Sequence, residues 1–152
     1  IWLILIPITV VIFDMSLPLA VIGGVIAAAL HFLTLTIHHY GHYRAANAVG
    51  FPMRYTVMWG PIGTDIYPRK EKGITPADHR RRALGGPIAN LILSLILLPI
   101  CLVLYFVGGE VFWPIYFMLI ASLLEFTIGA FTPLDMIGIE TDGSTLMKYW
   151  GQ

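Results

Sequence analysis

Three histidines and a distant aspartate are the residues of this chain whose types and spacing could bind a metal ion. His38 and His42 lie four positions apart at the end of an apolar stretch that favours a helix, so both imidazoles leave the same helical face. Two neutral imidazoles and one carboxylate are a usual set of protein ligands for catalytic zinc, which keeps a fourth position for water. We predict that Asp142, in a Thr-Asp-Gly turn, supplies the carboxylate, with Asp135 and Glu140 as competitors.

Two other interpretations of the histidine cluster stay open. His38 and His42 could be interfacial histidines that only form hydrogen bonds with water. His39 could turn towards the ion and close its coordination sphere, although neighbouring helical residues diverge by about 100°. His31 precedes His38 by about 10 Å along a helix axis, so we expect a buried polar group there and not a ligand.

The composition indicates where these residues lie. Of 152 residues, 57% are apolar and 12% charged, and the mean hydropathy is +0.79. A soluble domain carries about a quarter charged residues, so the chain is predicted to be an integral membrane protein. The nine basic and nine acidic residues cancel, which excludes nucleic acid as a partner. The single cysteine, Cys101, excludes an internal disulfide, and because the first residue is Ile we expect further chain before it.

Four apolar segments are the candidates for crossing the bilayer, which takes about 20 helical residues. They cover residues 1–13, 17–37, 87–107 and 111–131. The first is short, and is either part of a longer span or a segment that turns back at Asp14. Three residues separate the last two segments, which predicts a tight antiparallel hairpin. The fold class is therefore an all-α integral membrane protein with about four transmembrane segments, forming a single membrane domain over residues 1–152.

The loop 43–84 differs from the rest of the chain because it holds eight of the nine Lys and Arg residues. The positive-inside rule places it on the cytoplasmic side, or on the equivalent side of an organelle. Residues 55–59 have strand composition, which predicts a short strand or hairpin. Thr75 and Pro76 are typical of a helix start, and that helix would present Arg80, Arg81 and Arg82 to lipid headgroups.

The motifs together resemble the site-2 protease family of intramembrane zinc metalloproteases. The HHYGH sequence at 38–42 looks like that family's HExxH helix, GPIAN at 86–90 is similar to its G-P-x-x-N element, and the stretch 134–143 looks like an extended form of its late D-G motif. The resemblance covers about residues 30–148. It implies zinc bound by His38, His42 and Asp142, substrate placement by Asn90, a transmembrane segment as substrate, and a helical membrane core with a small strand-containing element.

Two departures from the family pattern bear on whether the chain is active as a peptidase. His39 replaces the motif glutamate, and Thr132 stands where an asparagine is expected before the proline of the late motif. A histidine beside a dication is a weaker base than a carboxylate, because the cation disfavours its protonated form. We therefore expect His39 to be a poor substitute base, and the chain to be a zinc-binding protein impaired or inactive as a peptidase.

Two further functions remain as alternatives. The protease fold could serve as a non-catalytic scaffold or accessory subunit of a larger membrane complex, in contact with other membrane proteins. A di-iron membrane hydroxylase or desaturase is the other, but that class uses many more clustered histidines than the five of this chain.

Overall fold

The computed structural model describes residues 7–8, 10–11, 14–60, 62–132 and 140–152. It is mostly helical, with one small sheet. The segment 1–13 lies largely outside the described residues, and Asp135 lies outside them. The elements described in full are, in chain order, α1 (Leu17–Ala48), β1 (Tyr55–Trp59), β2 (Ile62–Ile66), α2 (Pro76–Gly108), a short 3-10 turn (Gly109–Phe112), α3 (Trp113–Phe131) and α4 (Asp142–Tyr149).

Two helical stretches of the described residues, Leu17–Ala48 and Pro76–Ile128, are long and apolar enough to cross a membrane. The prediction of about four spans is therefore not supported. The third and fourth predicted segments fall within one nearly continuous helical stretch, because the 3-10 turn joins α2 directly to α3. The cytoplasmic position of the loop stays a prediction.

Helices α2 and α3 form the predicted antiparallel hairpin. Ser94 Oγ lies 3.0 Å from Ser122 Oγ, and Cys101 Sγ lies 3.8 Å from the carbonyl oxygen of Ile115, so residue numbers rise on one helix as they fall on the other. The chain reverses at Gly109, whose φ of 56° suits a residue without a Cβ. The hairpin brings the middle of α3 beside the first half of α2.

Helix α2 is longer than the sequence predicts. Its start is confirmed, since Thr75 and Asp78 form a reciprocal capping box at the N-terminus. The third apolar segment, predicted from residue 87, is not a separate helix, because α2 runs through Pro87 to Gly108. Proline removes one backbone hydrogen bond, and the flanking turns hold the helix together across that position. The helix predicted to begin at Thr75 and Pro76 and the third apolar segment are thus one continuous helix.

Helices α1 and α2 cross where two glycines meet. A Cβ on Gly41 would collide with the backbone oxygen of Gly85, and a Cβ on Gly85 would collide with that of Gly41. Only residues without side chains let the two backbones approach this closely. Helix α1 continues to Ala48, so the connection to α2 covers residues 49–75 and not the whole of 43–84.

The connection contains the predicted strand element. Strands β1 and β2 pair antiparallel, with Thr56 opposite Asp65 and Met58 opposite Gly63. Strand β2 packs against α1, since a Cβ on Gly63 would collide with the imidazole of His39. The β1–β2 hairpin therefore covers the face of α1 that carries the histidines.

Candidate metal centre

The structure brings the three predicted metal ligands together. His42 Nε2 lies 3.1 Å from His38 Nε2 and 3.1 Å from Asp142 Oδ2, and His38 Nε2 lies 3.3 Å from the same carboxylate oxygen. A tetrahedral zinc ion with bonds of about 2.0–2.1 Å holds its ligand atoms about 3.3 Å apart. His38, His42 and Asp142 could therefore hold one metal ion without rearrangement of the backbone.

The three groups are shielded from water. Their side chains are 13%, 5% and 19% exposed for His38, His42 and Asp142. Burial by itself raises the pKa of Asp142, but the charge of His42 and the hydrogen bonds from both histidines outweigh it and lower the pKa to about 2. Asp142 is therefore a carboxylate at neutral pH, the form in which it can bind a cation.

Gly86 on α2 leaves the space in which the ligand atoms meet. A Cβ at this position would collide with Nε2 of both His38 and His42. The glycine-rich start of the GPIAN element thus has a steric reason at the site itself.

His42 is oriented by the backbone of α2. Its Nδ1 lies 2.8 Å from the carbonyl oxygen of Arg82, and a carbonyl can only accept, so Nδ1 carries the proton. The amide of Gly86 approaches the same nitrogen at 3.4 Å, a longer contact that does not decide the tautomer. Nε2 faces His38 and Asp142, and a metal that displaces any proton on Nε2 would bind its lone pair there.

His38 is held by Asn90, which also contacts Glu125. The fully buried Asn90 has its amide nitrogen 3.1 Å from His38 Nδ1 and 2.7 Å from Glu125 Oε2, while its Oδ1 has no partner among the described residues. A metal on Nε2 of His38 requires a proton on Nδ1. Rotating the amide by half a turn presents Oδ1 to that proton, and a protonated Glu125 then donates to the same oxygen.

Asp142 is positioned by the start of α4. The Thr141 hydroxyl accepts a hydrogen bond from the Ser144 amide at 3.2 Å and contacts the carbonyl oxygen of Thr132 at 3.1 Å. The backbone of Gly143 packs so closely on Thr132 that a Cβ would not fit. These contacts tie α4 to the end of α3 and hold the carboxylate over the two histidines.

The far end of α4 is tied to α2. Arg80 donates to the carbonyl oxygen of Tyr149 at 2.5 Å, and the His79 ring stacks on the Tyr149 ring with centroids 4.2 Å apart. Arg82 is 5% exposed, lies 2.9 Å from a Glu71 carboxylate oxygen and covers the Tyr67 ring. Arg80 and Arg82 therefore do not face lipid headgroups as predicted, because carbonyl, carboxylate and aromatic partners inside the fold engage them.

Tyr67 completes this wall of the site as a neutral group. Burial and the charge of Asp65 raise the pKa of Tyr67 to about 12, against the opposing effect of Arg82. Its phenol keeps its proton at neutral pH.

His39 lies outside the three-ligand group. Its Nδ1 is 3.0 Å from Asp65 Oδ1 on β2, an ion-pair distance without the alignment of a full hydrogen bond. Its Nε2 lies against Gly63. The His39 side chain faces the β1–β2 hairpin, so this arrangement gives no support to the interpretation in which His39 closes the coordination sphere.

A cavity of about 790 Å³ opens beside the ligands. Its walls include His31, Leu35, Glu125, Ile128 and Tyr67, together with the ligands and His39. Glu125 on α3 accepts a hydrogen bond from Asn90 on α2 and also borders the cavity. Helix α3 ends at Phe131, so Glu125 and Asp142 lie on separate helices and line the same cavity.

The competing carboxylate Glu140 also lines this cavity but forms an ion pair with Lys148 at 2.6 Å, so it stands apart from the ligand group. Asp65 is the polar residue of the site that the sequence analysis missed. An acidic residue inside a short strand, two positions after a glycine, was the available signal.

Comparisons with protein-family models, curated proteins and solved structures find no match for this chain. The resemblance to site-2 proteases therefore depends on the motif residues. Function has to be argued from the geometry of the site.

Proposed function

We propose that this chain is a membrane-embedded zinc protein of the site-2 protease type, impaired in the cleavage of peptide bonds of membrane-spanning polypeptides. The observation that supports this most strongly is the triangle of ligand atoms in His38, His42 and Asp142, with sides of 3.1–3.3 Å. The order of the motifs and the two apolar helical stretches are consistent with it.

Zinc is the metal that suits this donor set. Two imidazole nitrogens and one carboxylate oxygen in a tetrahedral arrangement are typical of catalytic zinc, whereas magnesium and calcium prefer oxygen ligands alone. When bound, zinc would polarise a carbonyl group and make water more acidic. The two histidines and Asp142 would hold it.

The surroundings of the site suit an apolar polypeptide substrate. Much of α2 presents apolar side chains outward, with Phe106 83% and Val107 79% exposed, which suits contact with lipid. The cavity beside the ligands is bordered by Leu35 and Ile128 as well as by polar residues. Asn90 contacts His38 and Glu125. We therefore propose that it orients the metal ligand His38, in addition to the predicted role in substrate placement.

His39 takes the place of the motif glutamate as the base in this proposal, and it reaches the ligand group only if its ring turns away from the β1–β2 hairpin. A positioned general base contributes about two to four orders of magnitude in rate, and an imidazole beside a cation loses part of that. We therefore expect slow turnover compared with a site that carries the motif glutamate.

Cleavage of a synthetic membrane helix in proteoliposomes tests the proposal. Wild-type protein should cleave slowly, stop on chelation of zinc and resume on its return, and His39→Glu should cleave faster. Arg81→Gln serves as the control, because Arg81 is exposed and lies outside both the ligand group and the cavity walls. No cleavage by either the wild type or His39→Glu, with zinc bound in both, would refute the peptidase assignment.

One observation favours a non-catalytic scaffold instead. Both ring nitrogens of His39 face the hairpin, with Nδ1 near Asp65 and Nε2 against Gly63. A scaffold should co-purify in fixed stoichiometry with other membrane proteins and show no cleavage. A monodisperse, proteolytic protein would exclude this function.

A further inference from the structure

Helix α4 has an apolar face that the fold covers only in part. Gly143, Leu146, Met147 and Trp150 follow the i, i+3, i+4, i+7 spacing of one helix face. Gly143 and Leu146 are buried, whereas Met147 is 65% and Trp150 72% exposed. We call the surface formed by Met147 and Trp150 the α4 outer face.

The end of α4 lies beside the start of α2. Arg80 donates to the backbone carbonyl oxygens of Tyr149 and Gln152, at 2.5 and 3.2 Å, and the His79 ring stacks on the Tyr149 ring. The apolar run of α2 begins at Ala83, about 5 Å further along the helix axis. Since α2 is part of a helical stretch long and apolar enough to cross a membrane, and the headgroup layer extends about 5–7 Å beyond the hydrocarbon core, the α4 outer face lies at the depth of the headgroups.

The chemistry of the α4 outer face suits this layer. The indole of Trp150 combines an apolar ring with an N–H donor and favours the boundary between hydrocarbon and water, and Met147 adds a flexible apolar side chain. Ile88 and Ile92 of α2 are 48% and 53% exposed, so apolar surface suited to lipid contact begins about two turns beyond Arg80. The bilayer is therefore the partner that this position offers.

Helix α4 connects its outer face to the metal centre. The ligand Asp142 is the first residue of the helix and Trp150 directly follows its last, so about 12 Å of helix separates them. A helix of two turns moves as one body. Fixing its far end therefore limits how far Asp142 can move away from the two histidines.

We propose that the α4 outer face docks in the headgroup layer of the bilayer and thereby holds Asp142 over His38 and His42. The bilayer is then a structural part of the metal centre. The inference rests on the proposed zinc site, and it does not depend on peptide cleavage.

Fluorescence in phosphatidylcholine proteoliposomes measures the depth of Trp150. Subtracting the emission of Trp150→Phe from that of the wild type isolates this residue among the four tryptophans. We expect its signal to be quenched by lipid brominated near the headgroup end of the acyl chains, more weakly by lipid brominated near the chain ends, and hardly by iodide. Quenching by iodide alone would place Trp150 in water, and protection from all three quenchers would place it against protein. Either result would overturn the proposal.

Zinc affinity shows whether this docking holds Asp142. Trp150→Glu places a charge in the headgroup layer, and little packing inside the fold is lost because the side chain is exposed. We expect zinc to bind about tenfold more weakly than in the wild type, the effect of losing part of the burial of one large apolar side chain, with helical content by circular dichroism unchanged. Trp150→Phe keeps an aromatic ring and is the matched control, which should stay within about twofold of wild type. Equal zinc affinities of the two variants would overturn the proposal.

Failure of the proposed function gives a different result. Wild-type protein that binds no zinc refutes the metal site, and with it the role of docking in that site. Zinc-loaded protein without cleavage refutes only the peptidase assignment. Zinc-loaded wild type whose Trp150 lies in water, or whose two Trp150 variants bind zinc equally, refutes the docking alone.

Discussion

The backbone carbonyl of Arg82 lies 2.8 Å from Nδ1 of His42, a residue forty positions earlier in the chain. This hydrogen bond assigns the tautomer of His42 and directs its Nε2 towards His38 and Asp142. The carbonyl is in place because α2 starts before Arg82 and runs on through Pro87. The unbroken course of α2 through Pro87, which the sequence did not predict, therefore helps to orient the metal ligand His42.

Gly86→Ala should abolish metal binding although no ligand is removed. The new Cβ would occupy the space where Nε2 of His38 and His42 meet. We expect zinc to be lost from the purified protein, measured by elemental analysis, while the helical content by circular dichroism stays near wild type. Ile88→Ala, two residues on and half exposed, is the control that should retain zinc. Retention of zinc by Gly86→Ala would contradict the described ligand geometry.

Asn90→Ala should weaken zinc binding by about 10- to 100-fold, the usual effect of losing a group that orients a metal-bound histidine. The reason is its contact with His38 Nδ1, 3.1 Å away. Competition with a fluorescent chelator measures the affinity. If Asn90→Ala raises KM for a peptide and leaves zinc affinity intact, Asn90 acts only in substrate placement.

Arg80→Gln should loosen α4 and lower zinc affinity by about tenfold, because hydrogen bonds from charged groups contribute about 1.5–3 kcal/mol. Arg80 holds the carbonyl of Tyr149, at the opposite end of the helix that begins with Asp142. Arg81→Gln changes an exposed neighbour of the same type and should have no effect. Equal zinc affinities of the two variants would show that α4 needs no such tie.

The sequence was sufficient for features with local signals. Four-residue spacing placed His38 and His42 on one face, strand composition located β1, and the capping residues located the start of α2. The short connection predicted the α2–α3 hairpin. Asp142 followed from the motif and from the expected return of the chain.

What the sequence could not supply depends on which elements meet. The alternation of side chains along β2 does not show that Asp65 faces His39 on α1. A run of basic residues predicts a solvent-exposed helix face, whereas Glu71 and Tyr67 enclose Arg82 in the folded protein. Glycines at positions 85 and 86 allow close approach to α1 and to the ligand atoms, which no local pattern indicates. Tertiary contacts override local propensity in each case.

The most direct test of the proposed zinc site is zinc K-edge X-ray absorption, with elemental analysis, on the purified full-length wild type at neutral pH. We predict about one zinc per chain, bound by nitrogen and oxygen atoms at about 2.0–2.2 Å with an imidazole signature, and loss of zinc in His38→Ala and in Asp142→Asn. A wild-type protein free of zinc after supply of the metal, or one whose zinc is unaffected by both substitutions, would contradict it.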